Sequence, residues 1–342
     1  MEKVDDDLSS PPKSKPKKWS YADGACSNQL KDSGVRRLMI IGIVESINES
    51  YQNLKMLTEL LNINALKNLD GAIYSNAFDM KVANAFFGIS TATSSCPCVW
   101  CQMKRALFSD DPTSSGGLLR TLGLIRKWAT KYQADTAKHM GKNKLSTADY
   151  FSCVNMPLCD YPDSTLILDI LPPMELHLIL GMVNDIYDVL DAILSKKECS
   201  VEAKDWSLPL GLKRPALHQG QFNGNQCRTL LNNRDKLEQL LIKAGAFEVC
   251  EPVLKALATF NEVKKSCFGM DIHLNYKGHI KNFEKAYLEL SNYCKSLNIT
   301  FNVTPKAHAI FVHVHQFLER QNARGLNYGL GYWSEQVYYL LS

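Results

Sequence analysis

The chain places short apolar runs of β-favouring type near its beginning and long helical patterns after residue 118. Residues 38–44 form a seven-residue apolar run that is typical of a buried strand. Apolar side chains then recur at helical spacing over 50–61, and residues 71–78 form a second strand-like run. Strand, helix and strand in this order predict a βαβ-like unit with parallel strands and a right-handed crossover.

Helical periodicity dominates the middle of the chain. Helices are predicted over 82–89 and 118–131, and a polar, irregular stretch over 132–163 follows them. Pro173 suits the first turn of a helix over 174–194, because its missing N–H would have no partner there. Three further amphipathic helices are predicted over 230–241, 249–260 and 280–297.

Composition indicates a globular protein with a polar N-terminal tail. Of 342 residues, 45% are hydrophobic and 22% are charged, whereas residues 1–34 have too little apolar surface to fold and are expected to be disordered. A basic cluster in this tail, Lys13 to Lys18, is either a nuclear address or phosphate contact, or simply a solvated segment. No apolar run is long enough to span a bilayer, and none follows Met1 as a secretory signal would. The net charge of +4 favours a polyanionic partner only weakly.

Two pairs of residues suggest a zinc site. Eleven cysteines in a chain without a secretory signal indicate reduced thiols, some of them bound to metal. Cys98 and Cys101 have the two-residue spacing that tetrahedral zinc commonly uses, and His308 and His313 offer two more ligands about 200 residues later.

The spacing of the two histidines restricts the local helix geometry. Five residues on an α-helix correspond to about 500° of rotation, which leaves the histidines about 140° apart. The pair therefore requires a helix that is broken or irregular around the histidines, or a long reach from one side. The alternative is that the cysteines are ordinary buried thiols and one histidine pairs with a backbone carbonyl.

Carboxylates suggest a second kind of metal site. Asp79 follows the apolar run over 71–78, and a carboxylate at a strand end suits a metal ligand that stays open to solvent. Glu335 follows Ser334, a candidate N-cap, so it is either a ligand or a partner of the helix dipole. The chain stops seven residues later, and we expect that helix to be truncated. Three further polar residues lie near the start of the helix predicted over 174–194: Asp169, Glu175 and His177. They either form another metal site or act as helix caps, partners of the helix dipole and a core histidine.

Taken together, these motifs resemble the catalytic core of the vertebrate V(D)J recombinase and its relatives, the Transib-type DNA transposases. The likeness lies in the order of a strand ending in Asp, a PCxWC motif, a long helical insert, GN-x-x-R, H-x4-H, a glycine-rich loop and a Ser-Glu helix. It is closer still to transposon-derived invertebrate proteins with PCxWC and YSEQ-type motifs, and it covers roughly residues 35–336.

The resemblance implies an α/β plus α fold, in which a large helical insert interrupts an RNase H-like core and a zinc site joins the ends of the insert. It divides the chain into a tail over 1–34, a partial core over 35–101, an insert over 102–304 and a C-terminal segment over 305–342. It assigns structural zinc to Cys98, Cys101, His308 and His313, and catalytic Mg²⁺ or Mn²⁺ to Asp79, Glu335 and Asp23. Asn225 and Arg228 match the family's GN-x-x-R stretch without an assigned role.

Two classes of function follow from the resemblance. One is a nuclear DNA transposase or recombinase that cleaves and joins DNA with two metal ions. For this class the resemblance implies a homodimer as a possible assembly. The other is a non-catalytic, zinc-stabilised scaffold that binds DNA or protein. Asp23 lies in a polar stretch with no strand on either side, and Glu335 is the only carboxylate near Trp333. We therefore expect an incomplete acidic triad and an inactive chain.

Overall fold

The computed structural model describes residues 49–62, 64, 78–108, 117–139, 145–213 and 220–333. The tail over 1–34, the strand over 38–44 and residues 71–77 of the second strand lie outside these ranges, as do Asp23 and Glu335. The RNase H-like core therefore remains a prediction. The described part of the chain is mostly helical and holds no strand, only three isolated antiparallel bridges.

Twelve α-helices, one π-helix and several short 3-10 turns form the described structure. In chain order the α-helices are α1 (Tyr51–Leu60), α2 (Met80–Phe86), α3 (Leu122–Lys138), α4 (Ile167–Ile170), α5 (Glu175–Lys196), α6 (Val201–Lys204), α7 (Gly224–Asn232), α8 (Arg234–Lys243), α9 (Phe247–Cys267), α10 (Tyr276–Ser296), α11 (Pro305–His308) and α12 (His315–Ala323). The π-helix, Ala309–Val314, lies between α11 and α12.

Most of the predicted helices are confirmed, and two predictions need correction. The helix predicted over 118–131 starts at Leu122 and continues to Lys138, so the irregular stretch predicted over 132–163 starts later than expected. Thr121 caps the start of this helix by accepting from the Leu124 N–H at 3.1 Å, and three alanines favour its continuation. The single helix predicted over 230–241 is two helices that meet at Asn233, whose side chain donates to the Thr229 carbonyl at 2.8 Å.

The core is built around α5. This helix buries apolar residues on almost all of its surface, which is typical of a helix enclosed by others. Helices α7, α9 and α11 pack against it, and α10 packs along α9, where the rings of Phe260 and Phe283 lie 5.0 Å apart. None of the described helices is both long and apolar enough to cross a membrane.

A tight crossing at Gly88 positions the cysteine loop. Gly88 ends α2 with φ +73°, and its carbonyl accepts from the Val154 and Asn155 N–H groups at 2.9 and 3.0 Å. A Cβ at this position would lie 2.0 Å from the Asn155 carbonyl oxygen. Only glycine permits both the backbone conformation and the close approach, so this residue fixes the path of the chain into the loop that follows.

Two glycine substitutions separate the effect of the positive φ from that of the close backbone approach. Gly211 has the same φ of +73° but no heavy atom within 4 Å of a built Cβ. We expect Gly211→Ala to lower the free energy of unfolding by about 1–2 kcal/mol through backbone strain alone. Gly88→Ala should cost roughly 1–3 kcal/mol more, because the Asn155 backbone must move. Urea unfolding of both variants measures the difference, and equal losses would show that the crossing at Gly88 is not sterically restricted.

Candidate metal centre

The first half of the site is a loop after α2 that carries Cys98 and Cys101. Both residues are buried, and neither lies in a helix or strand. Cys101 forms an isolated bridge with Leu119, and the Trp100 carbonyl accepts from the Arg120 N–H at 2.8 Å. The Trp100 indole N–H donates to the Leu171 carbonyl at 2.8 Å. These contacts hold the two thiols in one direction, towards the C-terminal part of the chain.

The second half of the site is the irregular helix that carries His308 and His313. His308 ends α11, and the next six residues form the π-helix. Because π-helical hydrogen bonds run from residue i to i+5, side chains five residues apart come onto neighbouring turns of one face. The rings of His308 and His313 accordingly lie 4.9 Å apart, and both histidines are fully buried. The irregular helix that the histidine spacing required is therefore present.

Four ligand atoms converge at this point. Cys98 Sγ lies 3.2 Å from His313 Nε2, and Cys101 Sγ lies 3.3 Å from His308 Nε2, across 215 and 207 residues of sequence. All four ligand atoms lie within 4.8 Å of one another. Tetrahedral zinc places its sulfur and nitrogen ligands about 3.5 Å apart, so both the donor set and the spacing fit that metal. Four protein ligands leave no open position, which is the arrangement of a structural site.

Neighbouring groups orient the histidines. The Nδ1–H of His313 donates to Gln316 Oε1 at 2.9 Å, which leaves Nε2 with a lone pair for a metal. The Phe108 ring stacks on His308 with a centroid distance of 4.4 Å and an interplanar angle of 6°. The Trp100 ring lies 5.4 Å from the ring of His313. These partners fix both imidazole planes and exclude water from the site.

The two thiols differ in acidity. Burial, together with the neighbouring Cys101, raises the pKa of the Cys98 thiol well above its ordinary value. A hydrogen bond from Cys98 and contacts with both histidines hold the pKa of Cys101 well below its ordinary value, against the opposing effect of burial. Because cysteine binds metal as a thiolate, metal binding at this site releases thiol protons.

Arg120 organises the cysteine loop, and sequence reasoning missed it. Its fully buried guanidinium donates to four backbone carbonyls and to the Cys153 sulfur. Two of these carbonyls belong to the metal-ligating residues, Cys98 at 3.0 Å and Cys101 at 2.8 Å. The other two belong to Cys96 and Phe151, at 3.1 and 2.9 Å. One signal was visible in the sequence: a single arginine within the largely apolar run from Leu118 to Leu122.

The polar residues near the start of α5 form ion pairs. Asp169 accepts from the Arg320 guanidinium at 2.6 and 2.8 Å and lies 3.1 Å from Arg324. This contact ties α4 to α12, directly after the histidine segment. Glu175 lies 3.6 Å from Arg228 of α7. Within the described ranges, Cys98, Cys101, His308 and His313 form the one group of three or more potential metal ligands, so Asp169, Glu175 and His177 do not assemble a second such cluster.

The two residues of the GN-x-x-R stretch lie in the first half of α7. Asn225 is exposed, and the preceding Asn223 forms a capping box with Gln226 through reciprocal 3.0 Å hydrogen bonds. Arg228 joins this helix to the start of α5 through Glu175. The structure thus gives Arg228 a contact between two core helices, and Asn225 lies at the surface.

Asp79 lies beside a cavity of about 850 Å³ and caps a helix. Its backbone is extended, and its carboxylate accepts from the Val82 N–H at 2.7 Å at the start of α2. Asp185 of α5 lines the same cavity, and burial raises its pKa to about 6 in spite of the opposing charge of Lys306. The two carboxylates predicted to join Asp79, those of Asp23 and Glu335, lie outside the described residues.

No known family's sequence model matches this chain, and no curated protein sequence matches it either.

Substitution of Arg120 tests whether it supports the metal site. Arg120→Lys keeps the charge but leaves several of the four carbonyls without a donor, and each unmatched buried group costs about 1–3 kcal/mol. We expect the affinity for zinc to fall by roughly 10–100-fold, as for other groups that orient metal ligands. Competition with a zinc-binding dye measures this affinity.

Arg126→Lys is the matched control. Arg126 also donates to two carbonyls, those of Cys159 and Tyr161, and pairs with Asp163, but it does not contact the cysteine loop. We expect this variant to lose some stability and to retain its affinity for zinc. Equal losses of affinity in the two variants would contradict a specific role for Arg120.

Proposed function

We propose that this chain is a zinc-stabilised, transposon-derived protein, similar to the Transib-type transposases, that binds DNA in the nucleus without cleaving it. The observation that carries the proposal is the convergence of Cys98, Cys101, His308 and His313 at one buried point. A C-x2-C pair and an H-x4-H pair on either side of a long helical segment are what the resemblance requires. The mostly helical structure between them supports the same interpretation.

The environment of Asp79 supports the non-catalytic part of the proposal. Two-metal phosphodiester chemistry needs several convergent carboxylates, because two closely spaced divalent cations must share them. In the described structure the Asp79 carboxylate accepts the Val82 N–H at the start of α2. The sequence places Asp23 in a polar stretch and offers Glu335 as the only carboxylate near Trp333, so three convergent carboxylates are not expected. Loss of even one member of such a set removes most of its function, because the members act together.

A second candidate function is metal-dependent DNA cleavage. The cavity of about 850 Å³ beside Asp79 favours it, since a reacting phosphodiester needs open space next to the carboxylate. Asp23 and Glu335 would supply the missing ligands in that case.

Incubation of the protein with a labelled DNA duplex and Mg²⁺ or Mn²⁺ tests both candidates. We expect binding that weakens steeply as the salt concentration rises, because lysine and arginine contacts with phosphates release counterions. We expect no nicking and no strand transfer, and the Asp79→Ala variant should behave like the unaltered chain. Metal-dependent cleavage that Asp79→Ala abolishes would establish the second candidate. A protein that holds zinc but does not bind the duplex would contradict the DNA partner.

A further inference from the structure

The segment around α3 carries a concentrated positive charge. Between residues 99 and 144 the sequence contains nine lysines and arginines and only three acidic residues. Four of the basic residues lie on α3 itself, where Asp135 is the one acidic residue. The other long surface helix rich in lysine, α10, also carries Glu284 and Glu289, and its Lys277 pairs with Glu319. Two of the four basic residues of α3 are paired as well, Arg126 with Asp163 and Lys138 with Asp135 at 3.8 Å. Counting all their charged side chains, α3 carries a formal charge of +3 and α10 one of +2.

Three lysines of α3 lie along one exposed face. Lys127, Lys131 and Lys138 are separated by four and seven residues, which brings them to the same side of an α-helix over about 16 Å. The buried residues of α3 are Leu122, Ile125 and Ala129, all in its first half. The second half contacts Tyr150 through Tyr132 and Asp135, and its lysines are exposed to solvent.

Aromatic rings position two of these lysines. The ammonium groups of Lys127 and Lys131 each lie 5.5 Å from the centre of the Trp128 ring, and Lys131 also lies 5.9 Å from the Tyr150 ring. The described residues place no carboxylate within 4.0 Å of either ammonium group. A cation–π contact orients an ammonium group without neutralising it, so both charges remain available to a partner.

The base of α3 is fixed to the candidate metal centre. Arg120, two residues before the helix, binds the carbonyls of both metal-ligating cysteines, and Thr121 caps the helix. The start of α3, and with it the face that carries the lysines, is therefore held in a fixed position relative to the candidate metal centre. Pre-organised lysines lose less conformational entropy on binding than lysines on a mobile segment.

We propose that the Lys127, Lys131 and Lys138 face of α3 binds the phosphate backbone of double-stranded DNA. This proposal rests on the proposed function and assigns it a surface. A duplex carries one negative charge per about 1.7 Å of its axis, so a 16 Å row of lysines meets several phosphates. Contacts of this kind position the protein on DNA without reading its sequence.

Paired substitutions in the full chain test this surface. Lys127→Gln/Lys131→Gln removes two charges from α3, and Lys281→Gln/Lys285→Gln removes two exposed lysines of α10 at the same four-residue spacing. The probe is a fluorescein-labelled duplex of about 25 base pairs, measured by anisotropy at several salt concentrations. We expect the α3 pair to weaken binding roughly tenfold and to reduce the slope of log K against log salt by about 2. The α10 pair should change both values little, and thermal melting should confirm that both variants fold.

Each other outcome contradicts a specific part of the account. Equal effects of the two pairs, or an unchanged α3 variant, would overturn the α3 surface and leave the DNA partner in place. Failure of the unaltered protein to bind the duplex would overturn both proposals. If phosphatidylserine vesicles, but not the duplex, bind in a manner that depends on the α3 lysines, the surface recognises a membrane and the DNA assignment is wrong.

Discussion

The structure depends on the meeting of four buried ligand atoms from two distant segments of the chain. Cys98 and Cys101 approach His308 and His313 across more than 200 residues, and all four residues are buried. Closing so long a loop is entropically costly, and a metal that binds only the folded chain offsets that cost. Helices α3 to α10 lie in the sequence between the two pairs, so a metal bound here would stabilise the fold as a whole and not one local turn.

The residues around the four candidate ligands hold the ligand side chains in place. Arg120 gathers the carbonyls of the cysteine loop from one side, while Phe108, Trp100 and Gln316 hold the imidazoles from the other. The Arg320–Asp169 pair then fixes α12, the helix that continues from the histidines. A buried guanidinium whose donors reach carbonyl oxygens is costly to assemble, and its loss would leave those oxygens unpaired.

Local sequence rules anticipated the parts of the structure that depend on spacing. The five-residue separation of His308 and His313 required an irregular helix, and the π-helix supplies it. Apolar periodicity located α9 and α10 because each buries a continuous stripe, and it located α5 because apolar residues recur along its whole length. The role of Arg120 could not be predicted, because an arginine beside a helix start is ordinarily exposed and only tertiary packing buries it here. The end of α3 was predicted too early because the second half of this helix has few apolar residues at helical spacing.

The most direct test of the account is X-ray absorption at the zinc edge of the purified chain, combined with its zinc content. The account predicts one zinc per chain, with two sulfur ligands at about 2.3 Å and two nitrogen ligands at about 2.0 Å. Cys101→Ser should lose the metal and melt at a lower temperature, whereas Cys250→Ser, which replaces a buried thiol outside the site, should keep it. A zinc-free protein that melts normally, or a metal surrounded by oxygen ligands, would contradict the central claim.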